Sequence, residues 1–107
     1  MTGPSEAKSH IRLCDLVERH CEKHKDWIIL RNYIYHEGGK DGEVDVLAAT
    51  KYGFVFYEIK STHMAKRYTK ATEQFSRFYQ SHKRCGQHII GVYVTPTCVK
   101  RIRRLYD

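Results

Sequence analysis

Two carboxylates and an ammonium interrupt the apolar run of residues 42–62, which reads GEVDVLAATKYGFVFYEIKST. They belong to Asp45, Glu58 and Lys60, and their neighbours are Val, Phe and Tyr residues of the kind that favour β-strands. Burying an unpaired charge costs several kcal/mol even after the surroundings relax. A purely structural ion cluster is the alternative, but it would leave one negative charge unbalanced. We therefore expect the three residues to form a functional site.

The three side chains have the chemistry of a metal-dependent hydrolase. The carboxylates of Asp45 and Glu58, together with the backbone carbonyl of Ile59, are hard oxygen ligands that suit Mg²⁺ or Mn²⁺. Such an ion lowers the pKa of its bound water and so creates a nucleophile. Lys60 shares the strand face of Glu58, so its ammonium can orient a water or neutralise charge that develops on a phosphate. The pattern predicts hydrolysis of a phosphodiester.

The charge of the chain is divided unevenly between its two halves. Residues 1–59 hold eight Lys and Arg against ten Asp and Glu, whereas residues 60–107 hold eleven against two. A basic half on a small domain indicates a polyanionic partner, and nucleic acid is the simplest one. The alternative is a solvated face that only keeps the protein in solution.

A group of hydroxyl and cationic residues directly follows the three charged residues. The group consists of Ser61, Thr62, His63, Lys66, Arg67 and Lys70. Such side chains bind the phosphates of a nucleic-acid backbone, and nothing in their pattern indicates that they read bases. We therefore expect recognition of phosphate or shape.

Apolar spacing places these residues on an alternating series of helices and strands. The predicted elements are a helix at residues 9–25, strands at 27–35, 44–49 and 54–60, a helix at 65–84, a strand at 88–95 and a short helix that starts at Pro96. The last helix has Val99, Ile102 and Leu105 on its inner side. A tight turn at residues 51–53 joins two strands into a hairpin, which brings Asp45 close to Glu58. The order αβββαβα predicts a single α/β domain over residues 1–107.

Length and composition exclude several classes of protein. A chain of 107 residues can bury one core without disulfide or metal staples. No stretch approaches the ~20 apolar residues of a membrane span, and the N-terminus lacks the apolar region of a signal peptide. The cysteines form no C-x-x-C pair, and the spacing of Cys14, Cys21 and His24 matches no zinc pattern. We therefore expect a soluble, cytoplasmic protein with reduced cysteines.

The stretch around the charged residues resembles the PD-(D/E)xK nuclease superfamily. The resemblance rests on Asp45 in GEVDVLA and on Glu58, Ile59 and Lys60 in FVFYEIKS, with thirteen residues from Asp45 to Glu58. It is most similar to the Holliday-junction-resolvase-like branch, although Val44 stands where the motif has Pro. The resemblance implies a restriction-endonuclease-like αβββαβ core with a mixed central sheet flanked by helices, followed here by the short C-terminal helix.

The resemblance also implies two further site residues. Many members complete the metal site with an acidic residue on the first helix, and the candidates here are Asp15, Glu18 and Glu22. We choose Glu18, which lies closest to the apolar face, whereas a direct comparison with some relatives favours Asp15. Gln74 matches the Gln of a Gln-x-x-x-Tyr motif and could contact a metal-bound water or a phosphate, although Phe78 stands at the Tyr position. Ordinary polar helix residues are the alternative for both positions.

These observations lead to one main hypothesis and three alternatives. The main hypothesis is a Mg²⁺- or Mn²⁺-dependent endonuclease that cuts DNA by structure, with branched or single-stranded DNA as substrate. We expect a homodimer, formed through the aromatic face of the second helix or through a sheet edge. The alternatives are a non-catalytic nucleic-acid-binding module, a nuclease subunit that needs a partner protein, and an enzyme that cleaves RNA.

Overall fold

A five-stranded mixed sheet with two helices forms the fold. The computed structural model describes residues 4–62, 64–83 and 87–103. The elements are α1 (Pro4–Glu22), β1 (Ile28–Glu37), β2 (Lys40–Thr50), β3 (Gly53–Ile59), α2 (Ala65–His82), β4 (His88–Thr95) and β5 (Cys98–Arg101). The strands lie in chain order across the sheet, and only β3 and β4 are parallel. The predicted αβββαβ core and mixed sheet are confirmed.

The hairpin of β2 and β3 depends on a short turn that its own side chains stabilise. The Thr50 hydroxyl accepts hydrogen bonds from the backbone N–H groups of Tyr52 and Gly53, both at 3.1 Å. Gly53 has a φ of 150° and packs against the backbone of His88, where a Cβ would collide with the carbonyl. The turn sets the register that pairs Val46 with Tyr57. Val46 and Tyr57 are the last pair of the β2–β3 ladder, so Asp45 and Glu58 lie next to each other just beyond its end.

Each helix covers one face of the sheet. On the α2 face, the buried side chains of Ala71, Phe75 and Phe78 pack against the sheet residues Phe56 and Tyr93. The aromatic face of α2 thus belongs to the core, which corrects the expectation that it forms a dimer interface. Burial of large aromatic side chains in this way is a major source of folding free energy.

On the other face, α1 packs through a stripe of small and branched residues. Cys14, Val17 and Cys21 recur at helical spacing and contact Val46 and Ile59 in a second core cluster. The helix begins at Pro4 and ends at Glu22. It therefore starts five residues earlier and ends three residues earlier than the predicted helix at residues 9–25. No helix among the described residues is long and apolar enough to cross a membrane.

The predicted C-terminal helix is wrong, because the chain forms β5 there. Cys98 pairs with Thr95 and Val99 pairs with Val94 in an antiparallel ladder. The backbone groups along the outer edge of β4 need partners, and this demand outweighs the weak helical spacing of a few apolar residues. Val99 is 71 % exposed instead of inward, whereas Ile102 is buried as expected and donates its N–H to the Gly91 carbonyl. Leu105 lies outside the described residues.

Candidate metal centre

An irregularity in the β1–β2 pair surrounds Asp45. Val44 packs on the α2 face of the sheet and Val46 packs on the α1 face, although a regular strand would place both on one face. Asn32, between the partners of Val44 and Val46 on β1, has a φ of 54°. A positive φ is tolerated by Asn better than by most side chains. The break in alternation gives Asp45 an orientation that a regular strand would not.

The Asp45 carboxylate continues the β2–β3 pairing where the backbone ladder ends. Its Oδ2 accepts the backbone N–H of Ile59 at 3.0 Å. The carbonyl of the same Ile59 lies 3.0 Å from Nε2 of His10, and this nitrogen lies 3.4 Å from Asp45 Oδ2. His10 comes from the first half of α1, so a helix and two strands meet at this point. The expected pair of Asp45 and the Ile59 carbonyl is therefore close in space, with an imidazole against both.

Cys14 adds a sulfur to the same group of atoms. Its Sγ lies 3.8 Å from Nε2 and 3.9 Å from Nδ1 of His10, one helical turn earlier. The ligating atoms of His10, Cys14 and Asp45 all lie within 4.8 Å of one another. Burial, and to a smaller extent the nearby charge of Asp45, raise the pKa of the Cys14 thiol to about 12. Without a cation, Cys14 is thus a neutral thiol at physiological pH.

Glu58 is the most strongly perturbed acid in the site. The residue is 3 % exposed, and its Oε1 lies 3.5 Å from the Lys60 ammonium. Within the described part of the chain, its buried Oε2 has no hydrogen-bond partner. Burial raises the pKa of Glu58 to about 8, the charge of Asp45 raises it as well, and Lys60 lowers it. A buried carboxylate oxygen without a partner, beside a second carboxylate, fits the binding of a cation.

Glu18 has a different partner from the one expected. Its Oε1 and the Oδ1 of Asp15 both accept hydrogen bonds from Nη1 of Arg31 at 2.9 Å. Glu22, the third candidate, is exposed at the end of α1. The helix residues that approach Asp45 are instead His10 and Cys14. Arg31 on β1 explains the difference, because an ion pair with a partly buried guanidinium satisfies both carboxylates away from Asp45.

Sequence reasoning overlooked His10 although a signal was present. His10 lies four residues before Cys14, so both side chains share one helix face. Cys14 was considered for a metal site, but with Cys21 and His24 towards the other end of the helix. The structure places His24 in a stack on the Trp27 ring, with centroids 3.9 Å apart. Extending the apolar face of α1 by one turn towards the N-terminus would have found His10.

A basic cleft opens beside the cluster. It has a volume of about 560 Å³ and is lined by Ala7, His10, Ile11, Asp45, Ile59, Lys60, Ser61, Arg67 and Lys70. Three of the predicted phosphate-binding residues therefore lie in the cleft. Thr62 and Lys66 are exposed and do not line it, and His63 lies outside the described residues.

Gln74 occupies α2, and its side chain is not part of the cleft. Its backbone carbonyl accepts a hydrogen bond from the Tyr35 hydroxyl at 3.1 Å. Among the described residues, its buried Oε1 has no hydrogen-bond partner. A contact of Gln74 with a water or phosphate in the site remains a prediction.

Comparisons with known proteins bear on the fold and on the family of the chain. None of the curated proteins compared with the chain matches it. Among solved structures, the protein of unknown function AF1548 superposes with a TM-score of 0.55 at 15 % identity, over 77 % of this chain and 44 % of that one. SSO0001 superposes with a TM-score of 0.54 at 18 % identity, over 98 % of this chain and 55 % of that one. This chain thus spans about half the length of each, and the likeness supports the fold alone.

The family comparison is more specific than the structural one. The sequence profile of NERD, the nuclease-related domain, matches residues 7–100. The matched range contains every residue of the cluster and of the cleft, from Ala7 to Lys70. The chain belongs to the nuclease-related domain family, a PD-(D/E)xK-like nuclease domain.

Proposed function

We propose that the chain is a divalent-metal-dependent nuclease that hydrolyses phosphodiester bonds in DNA at the centre around Asp45. One observation carries the proposal. Asp45, the Ile59 carbonyl and His10 converge at the side of a cleft that also holds Lys60, Arg67 and Lys70. Ligands for a cation and cations for a phosphate are therefore side by side. Metal-assisted hydrolysis of a phosphodiester uses both.

The residues of the centre have separate roles in this proposal. Asp45, the Ile59 carbonyl and His10 hold the ion, and Glu58 adds its unpartnered oxygen. His10 takes the place that we expected for Glu18, because Glu18 is paired with Arg31. When bound, Mg²⁺ or Mn²⁺ lowers the pKa of a coordinated water and draws negative charge from the phosphate oxygens.

Lys60 and the cleft residues act on the phosphate itself. Lys60 is held by Glu58 at the end of β3, where its ammonium can donate to the attacking water or to a phosphate oxygen. Ser61, Arg67 and Lys70 bind the phosphates on either side of the reacting one. Each of these groups binds backbone and not bases, which supports selection of DNA by structure. Branched or single-stranded DNA of the resolvase-like kind is the substrate class we propose.

Two further features of the proposal concern assembly and location. β1 is an edge strand that exposes the large apolar side chains of Ile28, Leu30 and Ile34, which favours a homodimer through the sheet edge. Cys14, Cys21 and Cys98 are free thiols, which is usual in the reducing cytoplasm.

A nuclease subunit that needs a partner is the second candidate. The chain spans 44 % and 55 % of the two similar solved chains, so the similar proteins carry additional sequence. In this case the isolated chain would bind DNA but would cut it only with the additional protein present.

The test is a cleavage assay of the purified chain with EDTA, Mg²⁺ or Mn²⁺. Linear duplex, single-stranded, flap and four-way DNA are compared, with one RNA strand of the same sequence. We expect metal-dependent cutting that Asp45→Asn abolishes. Glu43→Gln, an exposed change two residues away on β2, should retain it. If the chain binds DNA without cutting it, the result supports a non-catalytic nucleic-acid-binding module or a nuclease subunit that needs a partner. If Asp45→Asn cuts DNA as well as wild type does, the result contradicts the proposal.

A further inference from the structure

The helix side of the centre offers nitrogen and sulfur instead of a carboxylate. His10 and Cys14 are the α1 residues that approach Asp45, and Cys14 is 2 % exposed. Both carboxylates of α1 that were candidates near this position, Asp15 and Glu18, are bound to Arg31. The donor set is thus softer than the oxygen-only set expected from the sequence.

The distances between the donor atoms fit coordination of one ion. Ligands bonded at about 2.0–2.3 Å lie roughly 3.0–3.7 Å from one another in tetrahedral or octahedral geometry. The corresponding separations are 3.0 Å from His10 Nε2 to the Ile59 carbonyl, 3.4 Å to Asp45 Oδ2 and 3.8 Å to Cys14 Sγ. The separations from His10 Nε2 are thus close to those of shared coordination, and the Cys14 sulfur and the Asp45 carboxylate lie within 4.8 Å of each other, so these side chains would have to move together by up to about 1 Å to share one ion.

A second observation supports a cation at this place. The Oε2 of Glu58, on the neighbouring strand to Asp45, is buried and has no hydrogen-bond partner among the described residues. Glu58 is not one of the three mutually close donors, so its unpartnered oxygen is an observation separate from their spacing. With Cys14 as a thiolate, the three negative charges of Cys14, Asp45 and Glu58 equal the charge of one divalent ion and Lys60.

We propose that Cys14 is a ligand of the metal ion and that it makes the centre select a softer transition-metal ion, such as Co²⁺ or Zn²⁺, over Mg²⁺. The inference rests on the proposed function, since it concerns the same centre. Thiolate and imidazole bind first-row transition ions much better than they bind Mg²⁺, which prefers oxygen and retains its water. On binding, the Cys14 sulfur forms a bond to the ion and its proton passes to solvent.

Co²⁺ is a suitable probe because a bond from sulfur to Co²⁺ produces a charge-transfer absorption band in the near ultraviolet. Wild type should show the band when titrated with Co²⁺, and Cys14→Ser should lack it. Cys21→Ser is the matched control, because Cys21 is buried in the same face of the same helix outside the donor cluster. This variant should retain the band. Competition with Mg²⁺ should require a concentration at least about tenfold higher than that of Co²⁺.

The melting temperature gives a readout that does not depend on cleavage or on the band. Cys14→Ser should bind Co²⁺ and Zn²⁺ at least about tenfold more weakly than wild type. The rise in melting temperature that these ions cause should therefore be smaller in the variant. The smaller rise with Mg²⁺ should remain. Asp45→Asn provides a second variant if Cys14→Ser folds poorly, and it should also lose the cobalt band.

The other possible results separate the assignment of Cys14, the metal selectivity and the proposed function. A band that persists in Cys14→Ser, or one that Cys21→Ser removes, overturns the assignment of Cys14. Equal affinity of wild type for Mg²⁺ and Co²⁺ overturns the selectivity. Cleavage that persists with Mg²⁺ under either result leaves the proposed function intact. If no divalent ion stabilises wild type, both the inference and the proposed function fail.

Discussion

At the scale of single residues, Glu58 provides the main electrostatic argument for the proposed metal site. Its carboxylate is 3 % exposed and lies beside Asp45, with the Lys60 ammonium 3.5 Å away. Burial and the charge of Asp45 raise its pKa to about 8, and the single ammonium only partly offsets them. In the metal-free fold the Glu58 carboxyl group therefore holds a proton, at the place where we propose that a metal ion binds. Two predictions belong to this scale.

The first is a dependence of stability on pH. The pKa of Glu58 is about 8 in the fold and near 4.3 in an unfolded chain, so between these values the folded state holds more protons. The free energy of unfolding should fall as pH rises from about 5.5 to 8, with a slope of at most about 1.4 kcal/mol per pH unit from this group. Urea unfolding in EDTA measures it. Glu58→Gln should flatten the curve, and an unchanged slope in that variant would show that other groups titrate.

The second concerns the role of Lys60 in the chemical step. Lys60→Ala removes a positioned ammonium from the phosphate, so cleavage should fall by about two orders of magnitude or more. DNA binding measured in Ca²⁺ should change little, because Arg67 and Lys70 remain in the cleft. Should the whole loss appear as weaker binding, Lys60 would be a phosphate anchor and not part of the chemistry.

At the scale of elements, the turn between β2 and β3 and the helix α2 could be predicted from the sequence. Their signals are local, because KYG marks a turn and apolar residues repeat at helical spacing. β5 pairs with β4, which directly precedes it, but only the assembled sheet leaves that edge of β4 open, and helical periodicity of the apolar residues does not report an open edge. The site was partly predictable for the same reason. Asp45, Glu58 and Lys60 stand out in a strand. The spacing of His10 from Cys14 places it on the buried face of α1, but only the docking of α1 against β3 brings it to the site.

The irregularity at Asn32 yields a prediction for the β1–β2 pair. Asn32 has a φ of 54°, where a Cβ-bearing residue costs roughly 1–2 kcal/mol and glycine costs little. Asn32→Ala should lower the free energy of unfolding by about 1 kcal/mol. Asn32→Gly is the matched control and should stay within about 0.5 kcal/mol of wild type. Urea unfolding of the three proteins decides, and equal stability of Ala and Gly would mean that the positive φ is not required.

At the scale of the whole molecule, the fold places basic residues from the second half of the chain beside the candidate site. The second half of the chain carries eleven basic and two acidic residues. Lys60, Arg67 and Lys70 from this half line the cleft beside Asp45. The fold thus brings the basic segment after β3 to the carboxylates that come from the acidic half. Electrostatic attraction would guide a polyanion to the point where the metal is expected.

Binding to DNA should therefore depend strongly on salt. Two phosphate contacts, from Arg67 and Lys70, predict an affinity loss of roughly 12-fold between ~50 and ~200 mM salt. Lys70→Gln should lower the slope of the logarithmic plot by about 1, because it removes one contact. Lys51→Gln, an exposed change in the turn before β3, should leave the slope unchanged. Fluorescence anisotropy measures all three proteins, and affinity that does not vary with salt would exclude nucleic acid as the main partner.

The most direct test of the central claim, that Asp45 holds a catalytic metal, is a set of thermal melts. Wild type and Asp45→Asn are compared in EDTA and with Mn²⁺ at about pH 8, the pKa of Glu58, where about half of the Glu58 carboxyl groups are ionised. Asn keeps the shape and can still accept the Ile59 N–H, but it no longer repels Glu58. We predict that Asp45→Asn melts at the same or a higher temperature in EDTA and loses most of the rise that Mn²⁺ gives wild type. A large drop in EDTA, with no metal response in wild type, would instead identify a structural ion cluster.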